Sequence, residues 1–571
     1  MKLLEENPNR LISSLLIAEL IKNDITHFYV SPGMRNAPLL SALKNNDKAK
    51  VFLGIDERAQ AYRAMGSTKA SGRPSVLVCT SGTAMLNYSP ALAEAVKNET
   101  PLIVLSADRP DELIWSDANQ TMEQNNIYAR MGIETWKLPT TDNNFPLESF
   151  LSRVNRFLNL CETGKPVHFN IPFRDPLDGK TVEMPKDRVE LARKLFSNEK
   201  PHNQFIKDYT PINYEIEKSF LSKKGLLVVG ELPPNTPKKA LKSLVSKTKW
   251  PIFLDVLSGL KYDFSMNDGA IPTFDHPEVM EYFKTNKPEV IIHVGGRMTS
   301  KHYHRFIDEN SDIQILHVSG KTGINHSPLN AQFNREVAPD KWANIMLELV
   351  EHSKQNSFDT TPWIEFVRKK RDLIEQSQLC YPLVSKTLIE NLPEVCDLYV
   401  ANSTVIRSFD SYTGFESHPD IRAIGHRGVS GIEGFMAATQ GLRESSDHGP
   451  VVLVIGDISF LHDLNSLALL EKEGRPLMIV LVNNYGGGIF SLLPLEKGEE
   501  ILSMMSTPHE ITFENIIKSF HHDYKRITTP TELTESIKEF NTVKSGVKVL
   551  EVMVDNDTNT KVYQKLKTVR L

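Results

Sequence analysis

Residues 451–484 read VVLVIGDISFLHDLNSLALLEKEGRPLMIVLVNN, and YGGGIF follows at 485–490. Two β-branched apolar runs, VVLVIG and PLMIVLV, flank a segment whose leucines at 464, 467 and 470 recur at helical spacing before a glycine. The pattern predicts a β-α-β unit. A right-handed crossover makes the two strands parallel and brings Asp457 and Asn484 to one edge, although 484 − 457 = 27 residues separate them. A carboxylate, an amide oxygen and a backbone carbonyl freed by the glycine turn are hard oxygen donors, and they suit Mg²⁺, which keeps its other positions for water and phosphate oxygens. The glycines allow φ > 0 and close approach by a bulky anion. Taken singly, such an aspartate caps a helix and such an Asn-Gly cluster makes a plain turn. Taken together they predict a magnesium-diphosphate site.

The same alternation runs outward through the chain in three series. The first contains THFYVSPG (26–33), KVFLGID (50–56), SVLVCTSG (75–82), PLIVLSAD (101–108) and PVHFNIP (166–172). The second has GLLVVGE (225–231), PIFLDV (251–256), EVIIHVGG (289–296) and IQILHVSG (313–320). The third adds DLYVANS (397–403) and VKVLEVMVD (547–555) to the opening pair. Short β-branched runs separated by helix-length segments predict parallel sheets covered by helices. Polar stretches between the series give an α/β protein of three doubly wound parallel-sheet domains, at about 1–180, 215–350 and 360–571.

Composition narrows the function. A net charge of −5 with acids and bases interspersed gives no electrostatic footprint for nucleic acid or an anionic membrane. No apolar run reaches the roughly 18 residues of a membrane span, and MKLLEENPNR has acids and a proline where a secretory leader needs an apolar core. Cys79, Cys161, Cys380 and Cys396 are far apart, without a CxxC pair, so neither a zinc site nor a disulfide framework is expected. A cytoplasmic protein acting on small molecules is expected. No GxGxxG turn with an acid about 20 residues on supports a nucleotide-dependent dehydrogenase.

The GD…NN pair with its β-α-β unit resembles the motif of thiamine-diphosphate-dependent enzymes, although GDIS stands where the usual motif begins GDG. The longer strings GDISFLHDLNSLALL and NNYGGGIFSLLP resemble one branch of that family, the 2-succinyl-5-enolpyruvyl-6-hydroxy-3-cyclohexene-1-carboxylate synthases of menaquinone biosynthesis. SPGMRNAPL (31–39), GIDERAQAYRAMG (54–66), TSGTA (80–84), SADRP (106–110), ANQ (118–120), GGRMTSK (295–301), NSTVIR (402–407) and HRGVSGIEG (426–434) are similar to its motifs and keep their order. Met34 stands where the family commonly has serine, so a hydroxyl contact there is absent.

The resemblance implies a pyrimidine-binding, a central Rossmann-like and a diphosphate-binding domain. It implies thiamine diphosphate with Mg²⁺, Mn²⁺ being tolerated, and the metal ligands Asp457, Asn484 and Gly486. Glu57 would hydrogen-bond N1′ of the cofactor pyrimidine and favour the tautomer that removes the C2 proton, whereas by itself it reads as a carboxylate at a helix N-terminus. Gly82, Thr83, Ser430, Ile432, Ser459 and Phe460 would complete the cofactor contacts, Ile432 holding the two rings in a bent conformation.

The implied reaction is decarboxylation of 2-oxoglutarate and conjugate addition of the succinyl fragment to isochorismate. Both substrates are dicarboxylates, and guanidinium groups pair with carboxylates in bidentate fashion. Ser403 and Arg407 would hold the distal carboxylate of the donor, while Arg35, Arg109, Asn119, Gln120, Lys301 and Arg427 would line the acceptor side. Ile489 and Phe490 would make an apolar wall. Singly, each cation is an ordinary surface charge. An acetolactate synthase or another 2-oxo acid decarboxylase is the alternative within the family. A non-catalytic protein on the same fold would be expected to have lost Glu57 or the metal ligands. Family geometry also implies a homodimer or homotetramer, because the pyrimidine site of one subunit faces the diphosphate site of another.

Overall fold

The computed structural model describes residues 2–571 except 207–212, 266–267, 272, 321–327, 329, 352–358, 416, 419 and 494–498. Among the described residues there are three six-stranded sheets in which all neighbouring strands run parallel. The first comprises β1 (His27–Val30), β2 (Lys50–Leu53), β3 (Ser75–Cys79), β4 (Leu102–Asp108), β5 (Glu134–Lys137) and β6 (Val167–Pro172), in the order 2-1-3-4-6-5. The second comprises β7 (Gly225–Val229), β8 (Ile252–Leu254), β9 (Ala270–Ile271), β10 (Val290–Val294), β11 (Gln314–Ser319) and β12 (Phe333–Glu336), in the order 12-11-10-7-8-9. Counted within the sheet that is the Rossmann order 3-2-1-4-5-6, read from the other edge. The third comprises β13 (Cys396–Val400), β14 (Ile421–Ile424), β15 (Val451–Gly456), β16 (Leu477–Asn483), β17 (Asp523–Ile527) and β18 (Val547–Met553). Its order, 14-13-15-16-18-17, repeats that of the first sheet.

The runs read as strands from sequence are the inner strands plus β2. Helices cover both faces of a parallel sheet, so an inner strand becomes one continuous apolar run, as in the fully buried Leu477–Asn483. The five strands the sequence reading passed over, β5, β9, β12, β14 and β17, all lie at sheet edges. One further expectation is corrected. The segment between β15 and β16 is not one helix: an α-helix, Asp457–His462, gives way to a 3-10 helix, Leu464–Leu469. Leucines three apart fit three residues per turn as well as they fit an α-helical stripe.

The chain forms two compact units: Met1–Thr210 with Arg427–Ser446, and Pro211–His426 with Asp447–Leu571. In the first, the helix Phe435–Ser445 packs on the helix Glu57–Ser71 so closely that a Cβ on Gly66 would stand 1.9 Å from the carbonyl oxygen of Ala438. The buried Arg63 crosses this contact and donates to Glu444, with Nε to Oε1 at 2.9 Å, while Tyr29 Oη donates to Glu444 Oε2 at 3.2 Å. In the second unit, Asp410 receives the backbone N–H of Val256 at 3.1 Å, which joins the helix Thr404–Tyr412 to the loop after β8. Among the described residues no helix is long and apolar enough to cross a membrane.

Candidate functional site

In doubly wound sheets, ligands bind beyond the carboxyl ends of the strands, where the strand order reverses. In the third sheet that edge lies beyond β13, β15 and β16. Gly456 pairs with Val482, so Asp457 and Asn484 leave the sheet side by side, as the β-α-β reading requires. Asp457 is 2% exposed. Its Oδ1 accepts from Ile458 N at 2.7 Å, and its Oδ2 accepts from Gly486 N at 2.9 Å and Asn484 N at 3.2 Å. Burial pushes the Asp457 carboxyl up; the backbone N–H groups of Gly486 and Ile458 and the nearby His509 oppose that rise. A buried carboxylate whose charge is only partly compensated fits a cation. Asn484 Oδ1 accepts from Tyr381 Oη at 3.1 Å, which turns the amide so that its oxygen keeps a lone pair. Together with the carbonyl of Gly486, which accepts from Gly488 N at 2.9 Å, these groups are hard oxygen donors of the kind Mg²⁺ prefers.

The rest of that unit's set surrounds the same edge of the sheet or lies in the second sheet's loops. Ser459 and Phe460 follow Asp457 in its helix, and the buried Phe460 meets Phe513 edge to face at 5.3 Å. Ile489 and Phe490 are half-buried in the 3-10 turn Gly488–Leu492. Ser403, at φ 68°, precedes the helix Thr404–Tyr412, and its carbonyl accepts from Arg407 Nη1 at 2.7 Å. Burial pushes the Arg407 guanidinium down, and the Asp275 charge opposes this. Lys301 begins the helix Lys301–Glu309 and is exposed. Its neighbours Ser300 and His302 both donate to Asp275, His302 Nδ1 at 2.7 Å. Burial works against the Asp275 charge, yet these two hydrogen bonds together with the charges of His302 and Arg407 outweigh it and hold the carboxyl below its usual range.

The N-terminal unit gathers the remaining residues at the matching edge of its sheet. Asp56, not Glu57, caps the helix Glu57–Ser71, accepting from Arg58 N at 2.9 Å and Ala59 N at 3.4 Å. Glu57 is therefore not needed as the cap; its Oε2 receives Asn87 Nδ2 at 3.4 Å. After β3, Gly82 N donates to Gln124 Oε1 at 2.7 Å and the exposed Thr83 opens a short turn of helix whose Ala84 and Met85 are buried. Arg109 donates to Ser81 Oγ and, at 3.0 Å, to the carbonyl of Gln120, whose own Nε2 donates to Ser81 O at 3.1 Å. Burial first and the Arg35 charge second push the Arg109 guanidinium down, so the two arginines are electrostatic neighbours. Arg35 Nη1 donates to Phe173 O at 2.9 Å and faces Asp175 at 3.6 Å. Asn119 is exposed beside Gln120, and Met34 is exposed next to Arg35.

Arg427, Ser430 and Ile432 reach this unit through the segment Arg427–Ser446. Arg427 is buried and Ile432 half-buried, while Ser430, at φ 59°, donates through Oγ to the carbonyl of Arg427 at 3.2 Å.

The chain matches the family description "Thiamine pyrophosphate enzyme, N-terminal TPP binding domain" over residues 12–128. It matches "Middle domain of thiamine pyrophosphate" over 193–394 and "Thiamine pyrophosphate enzyme, C-terminal TPP binding domain" over 415–552. It is 37% identical, over the full length of both chains, to the 2-succinyl-5-enolpyruvyl-6-hydroxy-3-cyclohexene-1-carboxylate synthase of Syntrophus aciditrophicus. Relatives of the same name from Chlorobium phaeobacteroides and Oceanobacillus iheyensis are 32% and 30% identical, covering 95% and 96% of this chain and 95% of each relative. The chain belongs to this synthase family of thiamine pyrophosphate enzymes.

Four side chains that the sequence reading passed over support the positions of this family's motifs. Tyr381 orients Asn484, and Gln124 holds the Gly82 turn. His509 places Nε2 3.4 Å from Asp457 Oδ2, and Glu94 is a buried carboxylate facing residues 428–430. The sequence signals only one of them: the run SPALAEAVKN sets Glu94 among alanines and a leucine that face the core. The other three come from segments far away in the chain and are brought in by the fold.

Proposed function

We propose that this chain is a thiamine-diphosphate-dependent transferase that decarboxylates 2-oxoglutarate and adds the succinyl fragment to isochorismate, releasing CO₂ and 2-succinyl-5-enolpyruvyl-6-hydroxy-3-cyclohexene-1-carboxylate, in menaquinone biosynthesis. The observation that carries the reading is the buried Asp457 beside Asn484 and Gly486 at the carboxyl edge of the third sheet, in a chain with full-length similarity to synthases of that name. Thiamine diphosphate, when bound, supplies the electron sink that lets CO₂ leave a 2-oxo acid. Asp457, Asn484 and the Gly486 carbonyl would hold Mg²⁺, with Mn²⁺ as a substitute, against the diphosphate. Gly82, Thr83, Ser430, Ile432, Ser459 and Phe460 would contact the cofactor. Glu57 would accept the hydrogen bond from N1′ of the pyrimidine, a role consistent with Asp56 taking the capping duty.

Ser403 and Arg407 would bind the distal carboxylate of 2-oxoglutarate. Arg35, Arg109, Asn119, Gln120, Lys301 and Arg427 would bind isochorismate, while Ile489 and Phe490 would exclude water. The working assembly is a homodimer or homotetramer in the cytoplasm, with active sites between subunits. Exposed apolar residues at the edge of the first sheet, Leu53 at 64% and Ile55 at 91%, support a second copy covering them. The domains run over 1–180 for pyrimidine binding, 215–350 for the central Rossmann-like part and 360–571 for diphosphate binding.

The test is the loss of isochorismate absorbance with thiamine diphosphate, Mg²⁺ and either 2-oxoglutarate or pyruvate. Loss that requires 2-oxoglutarate and both cofactors is expected. Consumption supported equally by pyruvate would withdraw the assignment of donor, and persistence of isochorismate would withdraw the reaction.

A further inference from the structure

We propose that Glu94 is the positioning residue that sets the loop carrying Arg427, Ser430 and Ile432, and through it the acceptor and cofactor contacts of the proposed synthase. The inference rests on that reading. Glu94 lies in the helix Ser89–Asn98 and is 1% exposed. Its Oε1 accepts from Gly428 N at 2.6 Å and from Asn98 Nδ2 at 2.7 Å. Its Oε2 accepts from Val429 N at 2.7 Å and Ser430 N at 3.3 Å. A carboxylate offers about four lone-pair sites, and here four donors use them. Three successive backbone N–H groups converging on one anion form a concavity of the kind that elsewhere binds phosphate. In this chain a side chain from the first sheet's own helix fills it.

The surrounding residues are consistent with a fixed geometry. A Cβ on Gly428 would stand 2.7 Å from the carbonyl oxygen of Glu94 and 2.8 Å from Lys97 Cβ, so only glycine brings the loop this close. Ser430 closes the turn by donating to Arg427 O, and Tyr62 Oη donates to Glu433 Oε1 at 3.1 Å just beyond it. Arg427 and Ile432 flank the anchored amides and inherit their position. By contrast, Ser403 and Arg407 belong to the other compact unit, so the donor carboxylate does not depend on this anchor.

Glu94→Gln tests the inference, because an amide of nearly the same shape turns one acceptor into a donor facing backbone N–H groups. Loss of charge-assisted hydrogen bonds should raise the thiamine diphosphate Kd, read by fluorescence quenching, and the isochorismate KM by about 10- to 100-fold. The 2-oxoglutarate KM should stay within about twofold, a split that separates positioning from general damage. Unchanged Kd and isochorismate KM, or an equal rise for both substrates, would overturn the proposal. Should Glu94→Gln not fold, Asn98→Ala removes only the amide that steadies the carboxylate and should shift the same constants about threefold in the same direction; no shift would count against Glu94. Amide hydrogen exchange at 428–430 separates this inference from the reaction assignment. Faster exchange in either variant supports the anchor even if wild-type protein leaves isochorismate untouched, and unchanged exchange refutes it.

Discussion

The first and third sheets share one strand order, and their corresponding loops can be read against each other. After the first strand of each come Arg35 in one and Ser403 with Arg407 in the other; after the second come Glu57 and the stretch holding Arg427, Ser430 and Ile432. After the third come Gly82 with Thr83, and Asp457 with Ser459 and Phe460. After the fourth come Arg109 and Asn484. The scaffold is the same while the chemistry differs: Glu57 with Arg35 and Arg109 line the first sheet's edge, whereas the buried Asp457 with the Asn484 amide joins Arg407 and Arg427 at the third's. One topology offers four loops at one edge, and the side chains placed there decide what the edge can hold.

The largest effect that would test this division comes from Glu57. Glu57→Gln keeps the helix, because Asp56 remains as its cap, and should lower kcat about 1,000-fold while the melting temperature holds. Near-normal turnover would remove the first sheet's carboxylate from the chemistry. A crossed pair of arginine variants comes next. Arg407→Ala should raise the KM for 2-oxoglutarate about 10- to 100-fold and that for isochorismate far less, with Arg35→Ala doing the reverse. The opposite ranking would break the assignment of the donor carboxylate to Arg407 and of the acceptor to Arg35.

How much of this was legible in the sequence follows from burial. β15 and β16 are covered on both faces, so each reads as an apolar run, and the register that sets Asp457 beside Asn484 follows from the β-α-β rule. Edge strands need no such run. Glu134–Lys137 and Phe333–Glu336, ETWK and FNRE, leave one side to solvent and read as loop. β17, DYKRI, buries little beyond Ile527. The site was legible where residues follow a strand, as at Arg109 and Asp457. It was not legible which distant segment supplies a partner: SPALAEAVKN marks Glu94 as a carboxylate on a core-facing helix, but residues 428–430, which it holds, lie more than 330 positions away, and His509 and Asp457 meet only through a loop that folds back over Gly487. The fate of Arg427–Ser446, which packs with the N-terminal unit although both strands flanking it belong to the third sheet, likewise has no local signal.

The smallest expected effect separates the polar interiors of the two matching sheets. In the first, His168 on β6 pairs through Nε2 with Ser106 Oγ at 2.7 Å and through Nδ1 with Thr135 Oγ1 at 3.2 Å. Ser106 donates to Asn170 Oδ1 at 3.0 Å, which also accepts from Gln124 at 2.8 Å, so the network runs up to the Gly82 turn. In the third sheet the matching strands carry Glu551, which accepts from Asn483 Nδ2 at 2.6 Å and from Tyr524. Burial pushes the His168 imidazole down to about 3 from an ordinary 6.5. Between those values the unfolded chain binds a proton that the folded chain does not, so stability falls as pH drops from 6.5 toward 3 and is unaffected above 6.5. The loss from this histidine should approach about 1.4 kcal/mol per pH unit. His27 in the same unit, pushed down to about 4 first by burial and then by Lys50, acts in the same direction, so a variant is needed to isolate His168. His168→Gln keeps a donor and an acceptor in place without a titrating ring. Urea midpoints at pH 7.5 and 5.5 should therefore lie closer together in the variant than in the wild type. Equal pH sensitivity would place the acid-labile group elsewhere, and with it the distinction between a neutral imidazole network under the first sheet's site and a carboxylate network under the third's.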